Sequence, residues 1–487
     1  MPESKVNSRD SDLHLELAAA GSRRSALITA LRDAVRAGRL APGTRLPPYR
    51  ALAADLGLAR NTVADAYAEL VAEGWLTARQ GSGTRVAHRA APPKPVRVPK
   101  SAPTDTSSMP AHNLRQGQPD AASFPRTAWL AAARRALGAA PNEAFGPGDP
   151  RGRIELRRAL ADYLARARGV RAEPGRIVIC SGFAHALRLL FGQGAGGVVP
   201  GPSPSSRLRS SRGYPIAVES YGLGFHRSLL ATAGVRTVPL GIDEHGARVR
   251  ELGEATSKAR AVLLTPAHQF PTGGPLHPER RAAVVDWAAA RGGLVLEDDY
   301  DGEFRYDREP VGAVQGLGPE HVVYIGSVSK SLSPAVRLGW MVLPEHLVGP
   351  VLDAKGEREA WASVLDQLTL AEFLVSGRYD RHVRRMRQHY RKRRDRLVTA
   401  LAEHAPHITV TGIAAGLHAV LHLPAGTEQS AAKAAAWHGV ALDPLAEFRH
   451  PEAATAHRDG LVVGYATPAE HAYGAALDAL CRALPPV

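Results

Sequence analysis

The chain has 487 residues, enough for about three ordinary domains, and its 44% hydrophobic and 22% charged content is a globular balance rather than a disordered one. Lysine and arginine outnumber aspartate and glutamate 61 to 47, a formal charge of +14, which favours a polyanionic partner and says nothing of fold. Two cysteines, Cys180 and Cys481, exclude a disulfide scaffold and suit a reducing cytoplasm; no apolar run reaches the length of a membrane span, and the first residues lack the apolar core of a signal peptide.

In chain order, a helix is expected from about Ser25 to Arg36, a turn at Pro42-Gly43, and a second helix from near Pro47-Pro48 with Leu52 and Leu56 on one face. Gly57 breaks it. A third helix starts near Ala59, and Val63, Tyr67 and Leu70 keep the i, i+4, i+7 spacing of a buried stripe. Two helices about a short glycine turn suit a helix-turn-helix, in which the first residues of the second helix, here Arg60, Asn61 and Thr62, meet base edges. Trp75 to Val86 reads as a hairpin wing about a glycine turn, with Arg79 and Arg85 placed to meet phosphates.

Charge alone suits any small helical domain with a solvated basic face. The ordered wording is more specific: Arg39-Leu40-Ala41-Pro42-Gly43, Leu46-Pro47, Arg50-Ala51-Leu52-Ala53, Arg60-Asn61-Thr62-Val63, Ala66-Tyr67, Glu73-Gly74 and Gly81-Ser82-Gly83-Thr84. It closely resembles the GntR-type winged helix over residues 22–86. The resemblance implies double-stranded operator DNA as partner and DNA contact at Arg50, Arg60, Asn61, Thr62 and the wing glycines Gly81 and Gly83. Ala59 stands where the family has a capping serine, a loss of about 1 kcal/mol.

Residues 87–112, rich in proline, serine and basic side chains and without apolar periodicity, read as a linker. They divide a DNA-binding module, residues 12–86, from a large module, residues 113–487. In the latter, Ile177 to Cys180, Ala261 to Leu264, Gly293 to Glu297 and Val322 to Ile325 read as buried strands. Helical stretches such as Arg151 to Arg166 and Pro278 to Ala290 lie between them. The alternation predicts an α/β domain with a mostly parallel sheet. Residues 193–217, rich in glycine, proline and serine, read as loop.

Four segments carry chemistry. In Tyr324 to Gly339 a strand ends in a turn of small residues around Lys330. Such a lysine can form a Schiff base with an aldehyde cofactor, and Arg337 can clamp a phosphate as a planar fork. Ser327-Val328-Ser329-Lys330 also fits the S-x-x-K serine-hydrolase pattern, whose companion S-D-N and K-T-G elements this sequence lacks. Leu294 to Asp301 places Asp298 and Tyr300 on one face of a strand and Asp299 on the other. A carboxylate there could keep a pyridine nitrogen protonated, and a phenol could bond the ring oxygen; a solvated acidic loop is the plain reading. Ile179 to Ala184 is a strand opening into a helix at a glycine, a backbone setting for phosphate. Thr265 to Gly273 is a strand followed by a turn.

Together these segments resemble a fold type I pyridoxal-phosphate aminotransferase domain, and behind the winged helix they match the MocR/GabR type of regulator. The wording extends through Leu114 to Asp120, Gly152 with Glu155-Leu156-Arg157, Tyr221-Gly222-Leu223 with His226-Arg227, and Tyr379 to Arg396. The resemblance implies a smaller C-terminal α+β subdomain and pyridoxal 5'-phosphate held as an aldimine on Lys330. Asp298 would pair with the ring nitrogen and Tyr300 with the ring oxygen. Ser181, Gly182, Phe183, Ser327 and Arg337 would hold the phosphate, and Tyr221 would stack on the ring. Phe270-Pro271-Thr272-Gly273 replaces the Asn-Pro-x-Gly of free-standing aminotransferases, removing a ring-oxygen hydrogen bond. Arg458, with Arg449 second, is the candidate for an effector carboxylate. The basic run Arg381 to Arg396 has nine lysine and arginine residues against one aspartate. It could be mistaken for a DNA arm, but its wording places it in a helix of the aminotransferase module.

The function expected is a cytoplasmic transcription regulator. It senses pyridoxal phosphate, or an amino acid or amine effector, through Lys330, and the resemblance implies a head-to-tail homodimer. The alternatives are an active aminotransferase with an accessory DNA-binding domain, and a DNA-binding protein whose cofactor fold is dead. No metal and no membrane are expected.

Overall fold

In a computed structural model, residues 22–79, 83–88, 110–192, 214–253, 258–306, 312–356 and 362–486 are described. The chain divides into two compact units, Met1–Ser108 and Met109–Val487.

The first unit has helices Arg23–Arg36, Tyr49–Asp55 and Arg60–Ala72, then an antiparallel pair, Leu76–Arg79 with Gly83–Val86. Leu27, Leu31, Leu52, Val63, Leu70 and Leu76 form its core. The second helix starts at Tyr49, one residue after the prolines, because Pro48 is its N-cap. Proline lacks an N–H, and the donors at a helix start have no intrahelical partner anyway. Ala59 caps the third helix in extended backbone and makes no side-chain bond. The wing residue Gly81 lies outside the described residues. So do residues 89–109 of the stretch read as linker, whose edges are packed: Ala87 is buried and bonded to Trp75 O, and His112 pairs with Val440.

The second unit is built on a seven-stranded sheet. Its strands lie in the order Ile177–Cys180, Gly339–Val342, Val322–Ser327, Leu294–Asp298, Ala261–Leu264, Ile216–Glu219, Thr237–Leu240. All run parallel except Gly339–Val342, which is antiparallel to both neighbours. The central strands are buried on both faces, which is why their sequences are continuous apolar runs rather than alternating ones. Helices Ile154–Arg168 and Pro278–Arg291 each end at a left-handed glycine, Gly169 and Gly292, as a C-terminal stop requires. The loop expectation for 193–217 needs correction at its end: Ile216 and Ala217 open a buried strand, whose short apolar run the preceding glycines and prolines obscure. Residues 193–213 lie outside the described residues.

A smaller antiparallel sheet, ordered Thr409–Thr411, His418–His422, Gly460–Gly464, Asp443–Pro444, forms the C-terminal subdomain. The basic run belongs to the helix Arg378–His404. Its apolar residues are few but in register: Tyr379, Val383, Met386, Tyr390, Leu397 and Leu401 are buried along one seam. Among the described residues no helix is long and apolar enough to cross a membrane.

Candidate functional site

In a parallel sheet, side chains at the carboxyl ends of the strands converge on the crevice where ligands bind. Here Glu219 and Asp298 close their strands, Thr265 follows one, and Ser327 ends another. All four line one cavity. Lys330, Tyr300, Tyr221 and Phe183 face the same cavity, so the structure brings together most of the residues the sequence selects for the cofactor.

The lysine turn is fixed from beneath. Val328, Leu332 and Leu338 are buried, and Tyr379 Oη and His382 Nε2 bond Ser331 Oγ and O, each at 2.8 Å. Lys330 is left pointing inward, with Nζ donating to Gly117 O. Burial lowers the pKa of Lys330 although Asp301 and Asp298 oppose the shift. The Asp298 carboxyl is pushed well above the usual carboxylate range by burial and by Asp299, Asp301 and Glu219, with Lys330 opposing. No hydrogen bond to that carboxyl exists among the described residues. It is a buried acceptor turned toward a cavity, and such groups are costly unless something satisfies them. Asp299 points away, forked by Arg168 at 2.7 and 2.8 Å with Tyr324 Oη at 2.6 Å. The strand ends at Asp298, so Tyr300 shares its face from the following bend.

Tyr300 Oη lies 2.9 Å from His268 Nδ1, and that nitrogen lies 2.8 Å from Asp301 Oδ2. Asp301 and His268 are almost wholly buried. A Cβ at Gly416 would fall 2.3 Å from His268 Cε1 and 2.6 Å from Asp301 Oδ2, so only glycine fits against this pair. Burial, Asp301 and Asp298 hold the Tyr300 phenol well above its ordinary pKa, and it keeps its proton as a donor.

Helix Phe183–Phe191 begins at Gly182. The Phe183 and Ala184 amides, in its first turn, meet no acceptor among the described residues, the condition in which a helix start receives an anion. Gly182 packs so closely on Gly339 that a Cβ at the latter would lie 2.7 Å from its Cα. Arg337 is the one described non-glycine residue with a left-handed φ, +56°. Strain of this kind concentrates at functional sites. Ser181, Gly182 and Arg337 do not themselves line the cavity wall; Phe183 and Ser327 do.

Tyr221 Oη lies 3.1 Å from His457 Nδ1, and His457 Nε2 lies 3.1 Å from buried Glu428. Arg449 pairs backbone to backbone with Tyr221, but its guanidinium donates to the Ala453 and Thr455 carbonyls. Arg458 is exposed. Neither arginine lines the cavity.

The sequence did not single out Glu219, His268, Asp301 or His418, and it marked His226 only within the family wording, with no role. His226 and His418 line the cavity, and burial holds both at about 3, so both are neutral. Burial pushes Glu219 up to about 7 although Thr265 and Gln269 bond it. A raised carboxyl binds its proton more tightly in the folded chain. Its stabilising contribution is therefore complete below about pH 4.5 and lost as pH climbs through about 7. Relative to a Glu219→Gln chain, the parent should lose about 3 kcal/mol over that window. Urea unfolding at several pH values checks this, and parallel stability profiles would contradict it.

In the first unit, Arg50, Arg60, Asn61, Arg79, Gly83 and Arg85 are exposed and Thr62 half-buried. Arg60 stacks 5.1 Å from the Tyr49 ring centre and bonds Tyr49 Oη at 3.2 Å. Arg85 Nη1 donates to Gly43 O at 3.0 Å, which ties the wing to the loop after the first helix.

A family model described as bacterial regulatory proteins, gntR family, matches residues 24–86. One described as aminotransferase class I and II matches residues 111–456. The HTH-type pyridoxine biosynthesis transcriptional regulator PdxR of Corynebacterium glutamicum is 33% identical over 391 residues, 80% of this chain and 81% of its own. The probable rhizopine catabolism regulatory protein MocR of Rhizobium meliloti is 30% identical over 459 residues, 90% and 88% of the two chains. Among solved structures, a kynurenine aminotransferase of Pyrococcus horikoshii in complex with PMP shares the fold at a TM-score of 0.67 and 24% identity, covering 78% of this chain and 91% of its own.

Proposed function

The chain belongs to the GntR-type regulators that carry a class I and II aminotransferase domain, and from that premise we propose that it is a cytoplasmic, homodimeric, DNA-binding transcription regulator that holds pyridoxal 5'-phosphate at Lys330. Its affinity for operator DNA answers to that cofactor, or to an amine that meets the cofactor in the cavity. The observation that carries the reading is the pairing of an inward lysine with an unpartnered buried carboxyl, Asp298, across one cavity.

The residues fit the group. Pyridoxal phosphate supplies an aldehyde that combines reversibly with primary amines and a ring that draws electrons. Lys330 presents its amine, and burial enlarges the uncharged, nucleophilic fraction. Asp298 holds a proton against the ring nitrogen and gains the partner it lacks. Tyr300 donates its phenolic proton to the ring oxygen, with His268 and Asp301 fixing its position. Phe270 occupies the place of the asparagine of the free-standing enzymes and packs edge-on against Tyr300, so this phenol is the ring-oxygen partner that the sequence keeps. Tyr221 covers a ring face. The amides at the start of helix Phe183–Phe191, with Ser181, Gly182, Ser327 and Arg337, receive the phosphate.

Winged-helix contacts from two protomers would read two half-sites. The ligand changes DNA affinity only by preferring one arrangement of the dimer. The alternative, an active aminotransferase, calls for a group to take a second substrate's carboxylate, and Arg449 and Arg458 do not stand on the cavity wall.

Supplying pyridoxal phosphate, reducing with borohydride and mapping the peptides tests the cofactor assignment. The adduct is expected on Lys330. No adduct, or one on another lysine instead, would overturn it.

A further inference from the structure

More than half of the chain's net charge of +14 lies on sixteen residues of one helix: from Arg381 to Arg396 nine cations face a single aspartate. The winged-helix unit carries less, ten arginines against five carboxylates between Ser22 and Val86. Part of the run has structural work. Arg393 is buried and bonds Glu470 with the Ala466 and Pro468 carbonyls, Arg387 bonds Glu303 O, and Arg396 pairs with Glu470.

Five of the remaining six form one exposed face, Arg381, Arg384, Arg385, Arg391 and Lys392, while Arg394 is half-buried to one side of it. At the helical period the five fall within an arc of about 120° and along roughly 16 Å of axis. Arg384 and Lys392 have neither hydrogen bond nor ion pair among the described residues. The acid on this face, Asp395, lies 3.9 Å from Arg391. Like charges three and four residues apart destabilise a helix, and solubility is served as well by mixed signs. A face with five cations and one acid is compensated when a polyanion lies on it.

We propose that the outer face of helix Arg378–His404 binds the phosphate backbone of double-stranded DNA outside the footprint of the winged helix. This rests on the DNA reading of the first unit. One chain carries both surfaces, so duplex held by the first is presented to the second at raised local concentration. The added contacts strengthen and position without reading sequence.

The test compares full-length parent with an Arg381→Gln/Arg384→Gln/Lys392→Gln chain. A control, Arg158→Gln/Arg250→Gln/Lys433→Gln, removes the same charge from exposed positions elsewhere on the large unit. The probes are a 60-base-pair duplex that the parent selects from a random pool and the same site trimmed to the footprint of the winged-helix unit. The helix variant is expected to lose roughly tenfold in affinity for the long duplex and to show a log–log salt slope shallower by about 2 to 3. It should keep the parent's sequence preference, its affinity for the trimmed site and its pyridoxal phosphate absorbance. The control should change less than about twofold. Parent-like affinity and slope in the helix variant, or equal losses in both variants or on both duplexes, would overturn the proposal. A parent that binds no duplex would overturn the DNA reading itself.

Discussion

An Asp298→Asn chain should bind pyridoxal phosphate about 10- to 100-fold more weakly than the parent, because it exchanges a charge-assisted hydrogen bond to a ring N–H for a neutral one. The same change should stabilise the ligand-free protein. Burial and three neighbouring carboxyls hold the Asp298 carboxyl well above its ordinary range. With the folded pKa raised, the parent loses stability as pH rises past the carboxylate's ordinary value, and the asparagine chain is spared that loss. Titration of the bound cofactor's absorbance, with urea unfolding of the ligand-free chains near pH 8, reads both effects. Equal affinity in the two chains would remove Asp298 from the site. Weaker affinity together with a less stable ligand-free chain would mark it as a structural residue only.

An Arg60→Ala chain should lose roughly 5- to 150-fold in operator affinity, the range for one well-placed base contact of about 1 to 3 kcal/mol. Arg60 starts the recognition helix, is exposed, and has its guanidinium held over Tyr49 at 5.1 Å. Part of the ordering cost of that side chain is therefore met before DNA arrives. Binding measured against a panel of single-base-pair variants separates two cases. A base contact relaxes preference at one position, whereas a phosphate contact weakens all sequences alike and lowers the salt slope by about 1. Thermal stability should stay near the parent's, since no buried group is removed. Unchanged affinity would show that the helix start does not meet DNA.

Much of this architecture is legible in the residues themselves. Buried parallel strands announce themselves as short apolar runs such as Ile177–Cys180 and Ala261–Leu264. The winged helix is legible because its turns need glycine and proline at fixed places. Asp298 and Tyr300 are legible as one face of a local segment, and Lys330 as a lone lysine in a small-residue turn. What escapes is whatever depends on sheet order. His268 and Asp301 stand 33 positions apart and meet because the strands before them are neighbours. Glu219 ends a strand whose start is hidden behind the glycine- and proline-rich stretch. The two faces of Arg378–His404 share one basic composition, and only packing separates Arg393, buried, from Arg384 and Lys392, exposed. Arg449 and Arg458 show the limit in the other direction. Their place before a late strand suggests a ligand contact, yet one is spent on carbonyls and the other faces solvent.

The coupling of the two units through Lys330 is tested most directly by operator affinity, measured with and without pyridoxal phosphate, for the parent and for a Lys330→Ala chain. The parent should shift by roughly 5- to 150-fold on addition of the cofactor, the span of ordinary coupling energies, and the alanine chain should not shift at all. An equal shift in both chains, or none in the parent, would contradict the account.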